Sequence, residues 1–400
     1  MPANLLVIQS GGCTAVMNAS LVGVIRRARG SSAVARVFGS HRGVRGLLRG
    51  EILDLTDDEF DLHALRTTPA AALGSNRHRL TEDECDRALD VLRRLEVRFL
   101  HVIGGNDSAD TGERLARRAA AAAHDLRVVT IPKTVDNDLP HTDHTPGYGS
   151  AARFVALATI DAGRDTEAIA DVDPVKIVEI VGRDAGWLTL AASLGRREED
   201  DAPHLTYLPE RPFSIDRFIA DVDASLARRG RAVIALAEAV RDERGAYLQA
   251  NDSALYTDSF GHRQLGGASA ILCDVITARL GVKARADRPG TIQRMLTACQ
   301  SPVDLAEAER LGTAAVDRAV GGENGTMVTL VREADRPYHC VIGSVPLAEV
   351  ANRVRTLPID YLSADGHSPT DAFRGYALPL LGAPLPRHAR LSRRFISIPA

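Results

Sequence analysis

Lys133, Thr134, Asp136 and Asp138 stand together in the run IPKTVDND, directly after the apolar stretch Val128–Ile131. An ammonium, a hydroxyl and two carboxylates flanking an amide make a poor helix and a poor strand. In the chemical reading, Asp136 accepts a proton from an attacking hydroxyl, Asp138 binds or orients magnesium, and Lys133 binds a departing phosphate. A solvated acidic turn is the plain alternative. Upstream, IGGNDSADT places Asn106, Asp107 and Ser108 behind Gly104 and Gly105. A strand end, two glycines and a helix start form an anion site, with Asp107 a second candidate for the metal. Transfer of a phosphoryl group between two anionic substrates with magnesium between them would use this set of groups.

Hydrophobic periodicity supplies the frame for these groups. Leu5–Gln9, Val34–Phe38, Phe99–Ile103, Val128–Ile131, Val175–Val181, Leu205–Leu208, Ala232–Ala237, Val282–Arg285 and Met327–Val331 read as short buried strands. The spacing predicts helices over Val16–Arg29, Thr81–Leu95, Ala109–Ala123, Ala151–Ala162, Trp187–Leu194, Ile215–Arg228, Leu265–Leu280 and Asp304–Val320. Asn106, Asp107 and Ser108 are expected to cap the third of these. Thr81 and Glu84 stand at capping-box spacing, and Gly266 and Gly267 fall in the first turn of the seventh. Strands alternating with long helices predict an α/β fold of two doubly wound domains with mainly parallel sheets. Arg196–Pro203 and Arg241–Gly261 read as exposed excursions, and the basic tail from Pro384 as a surface loop.

Further motifs gain weight from one another. SGGCTAVMN, with Gly11 and Gly12, is either a tight strand-to-helix turn or a second phosphate cradle. Arg77 follows a Gly-Ser turn and is ambiguous alone. VGRDAGW sets Arg183 between a strand and a helix, and Glu238 ends a strand where it could accept hydrogen bonds from sugar hydroxyls. KARADRPGTIQR gathers Lys283, Arg285, Arg288 and Arg294, which suggests a phosphate-monoester pocket, with an exposed salt-bridge face as the alternative. His141 and His144 lie in a proline-bounded loop without a third metal ligand in view, and Trp187 reads as packing.

The bulk numbers exclude several classes. A chain of 400 residues, 45% apolar and 25% charged, fits a soluble enzyme, and a net charge of -3 argues against nucleic-acid binding. Five scattered cysteines without C-x-x-C spacing predict reduced thiols and a cytoplasmic setting. No apolar run approaches the roughly 18 residues of a membrane helix. Only three of the 49 basic residues are lysine, and Lys133, Lys176 and Lys283 all fall within or beside these motifs. A nicotinamide dehydrogenase is excluded because no G-x-G-x-x-G follows strand one, and no G-x-x-x-x-G-K-[ST] loop is present.

Six of these motifs, in order, resemble the phosphofructokinase family from Leu5 to about Gly382: SGGCTAVMNASL, LGSNR, GGNDS, PKTVDND, EIVGRDAGW and RADRPGTIQR. The resemblance implies a two-domain fold with the active site in the cleft between the domains. Residues 1–147 with about 293–343 would form the donor and magnesium domain, and 148–292 with about 344–400 the sugar-phosphate domain. It also implies Mg2+ dependence, transfer of phosphate to O1 of fructose 6-phosphate, and a homo-oligomer (dimer or tetramer) whose sites a neighbouring subunit completes.

Carried over by position, Asp136 is similar to the catalytic base, with Thr134 and Asp138 beside it. Arg183 is similar to the arginine that stabilises the transferring group, Glu238 to the sugar-binding acid, and Arg285 and Arg294 to the binders of the sugar 6-phosphate. Gly11, Gly12, Arg77, Gly105, Asp107, Ser108 and Lys133 fall on the donor side, and Asp107, Asn106 and Asp138 on the metal. ATP-using members carry glycine where Asp107 stands, and usually where Lys133 stands. The pair therefore implies the pyrophosphate-using branch.

Departures fall at Asn106, often Asp; at Thr291, often His or Tyr; and at Val181, usually Met, beside Gly182. Pro174 stands where a neighbouring subunit often supplies an arginine, with Lys176 close enough to substitute. These leave two other readings: a kinase, ATP- or pyrophosphate-dependent, of another sugar phosphate such as sedoheptulose 7-phosphate, and a non-catalytic sugar-phosphate-binding regulatory subunit.

Overall fold

A computed structural model of the chain describes residues 1–57, 60–249, 265–391 and 396. The larger of its two sheets is built from β1 (Ala3–Gln9), β2 (Val34–Ser40), β3 (Ile52–Asp54), β4 (Val97–Gly104) and β5 (Arg127–Pro132), and carries α1 (Met17–Arg29), α2 (Gly43–Arg49), α3 (Leu62–Thr67), α4 (Glu82–Arg94) and α5 (Asn106–Ala121). The chain then crosses through α6 (Tyr148–Ala168) to a second sheet of β6 (Val175–Ile180), β7 (Leu205–Tyr207), β8 (Ala232–Ala237) and β9 (Ala284–Asp287), with α7 (Trp187–Ala191), α8 (Ile215–Arg229) and α9 (Ala268–Leu280). It returns through α10 (Pro302–Val320), β10 (Thr326–Asp335) and β11 (Tyr338–Pro346) before α11 (Asp371–Ala377).

Strand order is β11-β10-β5-β4-β1-β2-β3 in the first sheet and β7-β8-β6-β9 in the second. The second sheet is wholly parallel; the first is antiparallel only at its two edges, β2 with β3 and β10 with β11. The α/β architecture with mainly parallel sheets is as the sequence predicts. Alternate residues of the same strands feed opposite layers, which is why these strands read as unbroken apolar runs. Leu6, Ile8, Leu100 and Val102 pack with Leu89 of α4 and Leu115 of α5, while Leu5, Val7, Phe99 and Ile103 pack with Leu21 of α1 and Leu311 of α10.

Several predicted boundaries move. Helix α5 starts at Asn106, not Ala109, so Gly105 is its cap residue and neither Asn106, Asp107 nor Ser108 caps it. Gly266 and Gly267 precede α9 with φ of 113° and 105°, a left-handed bend that a helix cannot hold. Strand β11 was hidden because its burial alternates poorly along an exposed edge. The capping box of Thr81 and Glu84 is present in full. Residues 250–261 of the predicted Arg241–Gly261 excursion lie outside the described residues.

Candidate active site

β5, β4 and β1 lie side by side, with Gln9 opposite Ile103 and Ile103 opposite Ile131. The chain therefore leaves the sheet three times along one rim, at Ser10–Thr14, Gly105–Ser108 and Lys133–Asp138. In the second sheet Ile180 is opposite Ala237, so Val181–Arg183 and Glu238 leave from one edge too. Residues of both sets line a single cavity of about 1010 Å3.

On the rim of the first sheet, the N–H of Gly11 donates to the Asn76 carbonyl at 3.0 Å and Ser75 Oγ to the Gly11 carbonyl at 2.7 Å. These bonds lace the first glycine loop to the turn that delivers Arg77 to the cavity. Gly11 holds φ at 78°, a left-handed conformation that favours glycine, and a Cβ on Gly12 would displace the Arg294 guanidinium that lies against it. Lys133 is buried, and its Nζ donates to the Gly12 carbonyl at 2.6 Å. Burial pulls its ammonium down to about 8, against the pull of the neighbouring Cys13 and Asp136. Asp107 occupies the first turn of α5, where the positive end of the helix dipole favours a carboxylate.

The loop after β5 turns on Asn137, a left-handed residue (φ 56°) whose side chain is fully buried. Its Nδ2 donates to Tyr376 Oη at 2.7 Å and its Oδ1 accepts from the Thr145 N–H at 3.1 Å. Turning the amide inward leaves Asp136 and Asp138 both lining the cavity. The Asp136 N–H donates to Thr134 Oγ1 at 3.1 Å. Burial raises the Asp136 carboxyl above the usual range, while Arg183, Arg294, Lys133 and Arg77 pull it back. Burial, then the charge of Asp136, pushes Asp138 up to about 7.

On the side of the second sheet, Glu238 Oε1 accepts from the N–H groups of Gly182 and Arg183 at 3.3 and 3.4 Å, and burial followed by Asp136 raises it to about 7. Thr291 and Arg294 come from a 3-10 turn, Gly290–Arg294. Gln293 within it accepts from the Val181 N–H at 3.4 Å and donates to the Glu179 carbonyl at 3.3 Å, holding this turn to the end of β6.

The donors present fit a magnesium ion. Asn106 Oδ1 is buried without a partner among the described residues, because its Nδ2 is turned to the Arg353 carbonyl. Asp107 and Asp138 line the same cavity, and an all-oxygen set of two carboxylates and an amide suits a hard dication.

Gly11, Gly12, Arg77, Gly105, Asn106, Asp107, Ser108, Lys133, Thr134, Asp136, Asp138, Val181, Arg183, Glu238, Thr291 and Arg294 all line the cavity. Gly182 does not line it and reaches it only through its bond to Glu238. Lys176 and Arg285 lie elsewhere, as cross-strand neighbours on β6 and β9 beside a separate cavity of about 390 Å3. There Lys176 pairs with Asp165 at 3.3 Å and Asp287 at 3.4 Å, and Arg285 Nε with Asp173 at 2.6 Å. The cationic segment KARADRPGTIQR is thus divided between two sites. Thr14, Gln293, Asn352 and Val354 also line the main cavity; nothing in the sequence around Asn352 and Val354 marks them.

His144 gives both ring nitrogens to carboxylates, Asp143 and Glu307, each at 2.7 Å. Burial opposes its charge, but these two bonds win and raise it to about 9. Cys340 lies close to Asp143 and His144. With the imidazole bridged on both sides and Arg332 on Asp143 at 2.9 Å, the cluster reads as a buried ion network.

The phosphofructokinase family profile matches residues 4–319. The pyrophosphate–fructose 6-phosphate 1-phosphotransferase of Rhodospirillum rubrum is 39% identical over 97% of this chain and 96% of its own length. That of Xanthomonas campestris is 39% identical over 96% and 92%. The crystal structure of a pyrophosphate-dependent phosphofructokinase from Marinobacter aquaeolei superposes with a TM-score of 0.86 at 32% identity, covering 100% of this chain and 98% of that one.

Proposed function

The chain belongs to the phosphofructokinase family, and from that premise we propose that it transfers a phosphoryl group reversibly from pyrophosphate to O1 of fructose 6-phosphate. The observation that carries the donor is the presence of Asp107 and Lys133 in one cavity, beside both glycine loops. A carboxylate at the start of α5 adds bulk and like charge where a nucleotide's α-phosphate would pass, and the Lys133 ammonium offers a partner to a compact anion.

In this reading Asp136 takes the proton of the attacking O1 hydroxyl. The O1–P bond forms as the bridging P–O bond of pyrophosphate breaks, and orthophosphate departs toward Lys133 and Arg77. Arg183 faces the charge on the transferring group, Glu238 holds the sugar, and Arg294 the 6-phosphate. A raised carboxylate is a stronger base than a solvated one, which suits Asp136 to the task. Catalysis is then mostly positioning and charge neutralisation. Magnesium, held by Asp107, Asp138 and Asn106, supplies charge neutralisation on the phosphates when bound.

Residues 1–147 with about 293–343 form the donor side of this scheme, and 148–292 with about 344–400 the acceptor side. Lys176 and Arg285 serve the site of a neighbouring subunit in a homo-oligomer. All five cysteines are free and no described helix is long and apolar enough to cross a membrane, which supports a cytoplasmic setting. Steady-state assays with magnesium, each donor and a panel of sugar phosphates test the proposal. Turnover with pyrophosphate and fructose 6-phosphate, and none with ATP, is expected. Turnover with ATP alone would overturn it.

A further inference from the structure

The segment that follows β11 crosses the active site and grips it in three places. Asn352 Nδ2 donates to Asp110 Oδ1 at 2.9 Å, and the Arg353 carbonyl accepts from Asn106, so the strap is fastened to the first turns of α5. Arg355 then reaches the loop that carries the two acids. Its N–H donates to the Asp138 carbonyl at 2.7 Å. Its guanidinium donates to the Asn137 carbonyl from Nη2 at 2.8 Å and Nε at 3.3 Å, and from Nη1 to the carbonyls of Thr142 at 2.7 Å and Asp143 at 2.8 Å. The same guanidinium lies 4.6 Å from the Trp187 ring, and the Arg355 carbonyl accepts from Trp187 Nε1 at 3.4 Å. Trp187 opens α7, directly behind the loop bearing Arg183.

From this we infer that Arg355 is a positioning residue, which fixes the backbone bearing Asp136 and Asp138 against the rim bearing Arg183. The loop between β5 and α6 has no strand partner over most of its length, and a carbonyl turned from water needs a donor. Asn137, whose φ of 56° sends the two acids to one side, has its carbonyl held twice by this one side chain. Two arms of the loop converge on one planar fork, which only arginine presents; lysine has the charge without the geometry. The aromatic contact adds a link to the acceptor rim. Arg355 does not line the cavity, so its effect passes through the loop.

The inference rests on the assignment of Asp136 as base. Arg355→Lys and Arg355→Gln in the full chain test it, assayed with pyrophosphate and fructose 6-phosphate. A loosened loop should lower kcat on the order of tenfold to hundredfold, with both KM values within about threefold. Emission of Trp187, the sole tryptophan, should shift, and amide hydrogens of residues 133–147 should exchange faster in the Gln variant. Unchanged kcat and unchanged exchange in a folded variant would overturn the inference, as would a rise in KM alone. Failure of both variants to fold would make Arg355 a determinant of the fold and overturn it too. Wild-type protein inactive with pyrophosphate would sink the proposed function, whereas the exchange of residues 133–147 would still decide the role of Arg355.

Discussion

Lys133 Nζ donates to the Gly12 carbonyl at 2.6 Å, which fastens the end of β5 to the loop after β1 and leaves an ammonium in the cavity that Asp107 also lines. In the proposed function these two charges set the choice of donor. Asp107→Gly combined with Lys133→Gly should confer ATP-dependent turnover that the wild type lacks. Loss of the ammonium should also cut pyrophosphate turnover by at least about tenfold. Initial rates with each donor at saturating sugar phosphate check both halves.

Asp136→Ser keeps a small polar group at the turn but removes the proposed proton acceptor. We expect turnover to fall by roughly two to four orders of magnitude, with sugar-phosphate affinity nearly unchanged. Calorimetric titration of the acceptor alongside single-turnover kinetics separates the two effects. A variant that keeps its rate removes Asp136 from the role.

The buried titrations fix a pH window. Asp138 and Glu238 are each raised to about 7 by burial and then by Asp136, and Lys133 is lowered to about 8 by burial; in the proposed scheme Glu238 acts ionised and Lys133 protonated. A plot of kcat/KM against pH should therefore be bell-shaped, with its maximum between these values. Stability follows the opposite sign for the two acids. Their protons are held more tightly in the folded chain than in the unfolded one, so their contribution is complete at acid pH and is lost as pH rises through about 7. The thermal midpoint of ligand-free protein should fall across that range, and Glu238→Gln should flatten the fall.

Motif chemistry was legible where one short run carries both the turn and the reactive groups. PKTVDND and GGNDS announce themselves, since clustered acids and paired glycines have few other uses at strand ends. What lies far apart in sequence was not legible. Asn352 reaches the site, and Arg355 the loop behind it, from beyond an edge strand whose alternation is blurred by exposure. Arg285 and Arg294 look alike in the sequence, but β9 turns the first to its own edge and the 3-10 turn brings the second to the cleft. Spacing alone cannot show which side of a strand end faces a distant partner.

His144 bridges two buried carboxylates, and removing it would leave Glu307, among the described residues, with Tyr338 as its hydrogen-bond partner at 2.6 Å. His144→Ala should destabilise the fold by about 3–5 kcal/mol, as the loss of one member of a buried ion network does. Because its folded value is raised to about 9, the wild-type contribution is complete below the ordinary histidine range and fades as pH rises through about 9. Denaturant titrations of both proteins at two pH values measure the difference.

Lys176 and Arg285 supply the sharpest test of a shared site. Within one chain they face a cavity separate from the one that holds Asp136. If they serve a neighbour, then Arg285→Ala and Asp136→Ser fail for different reasons and in different subunits. A hybrid of the two variants contains one site that pairs an intact Asp136 with an intact Arg285, and another that has lost both. Refolding the two inactive variants together should therefore restore activity that neither shows alone. Recovery should be on the order of a quarter of wild type for random pairing of dimers in which each site draws on both chains. Absence of recovery, in a mixture shown to exchange subunits, would confine the site to one chain and leave Arg285 paired with Asp173 as a structural contact.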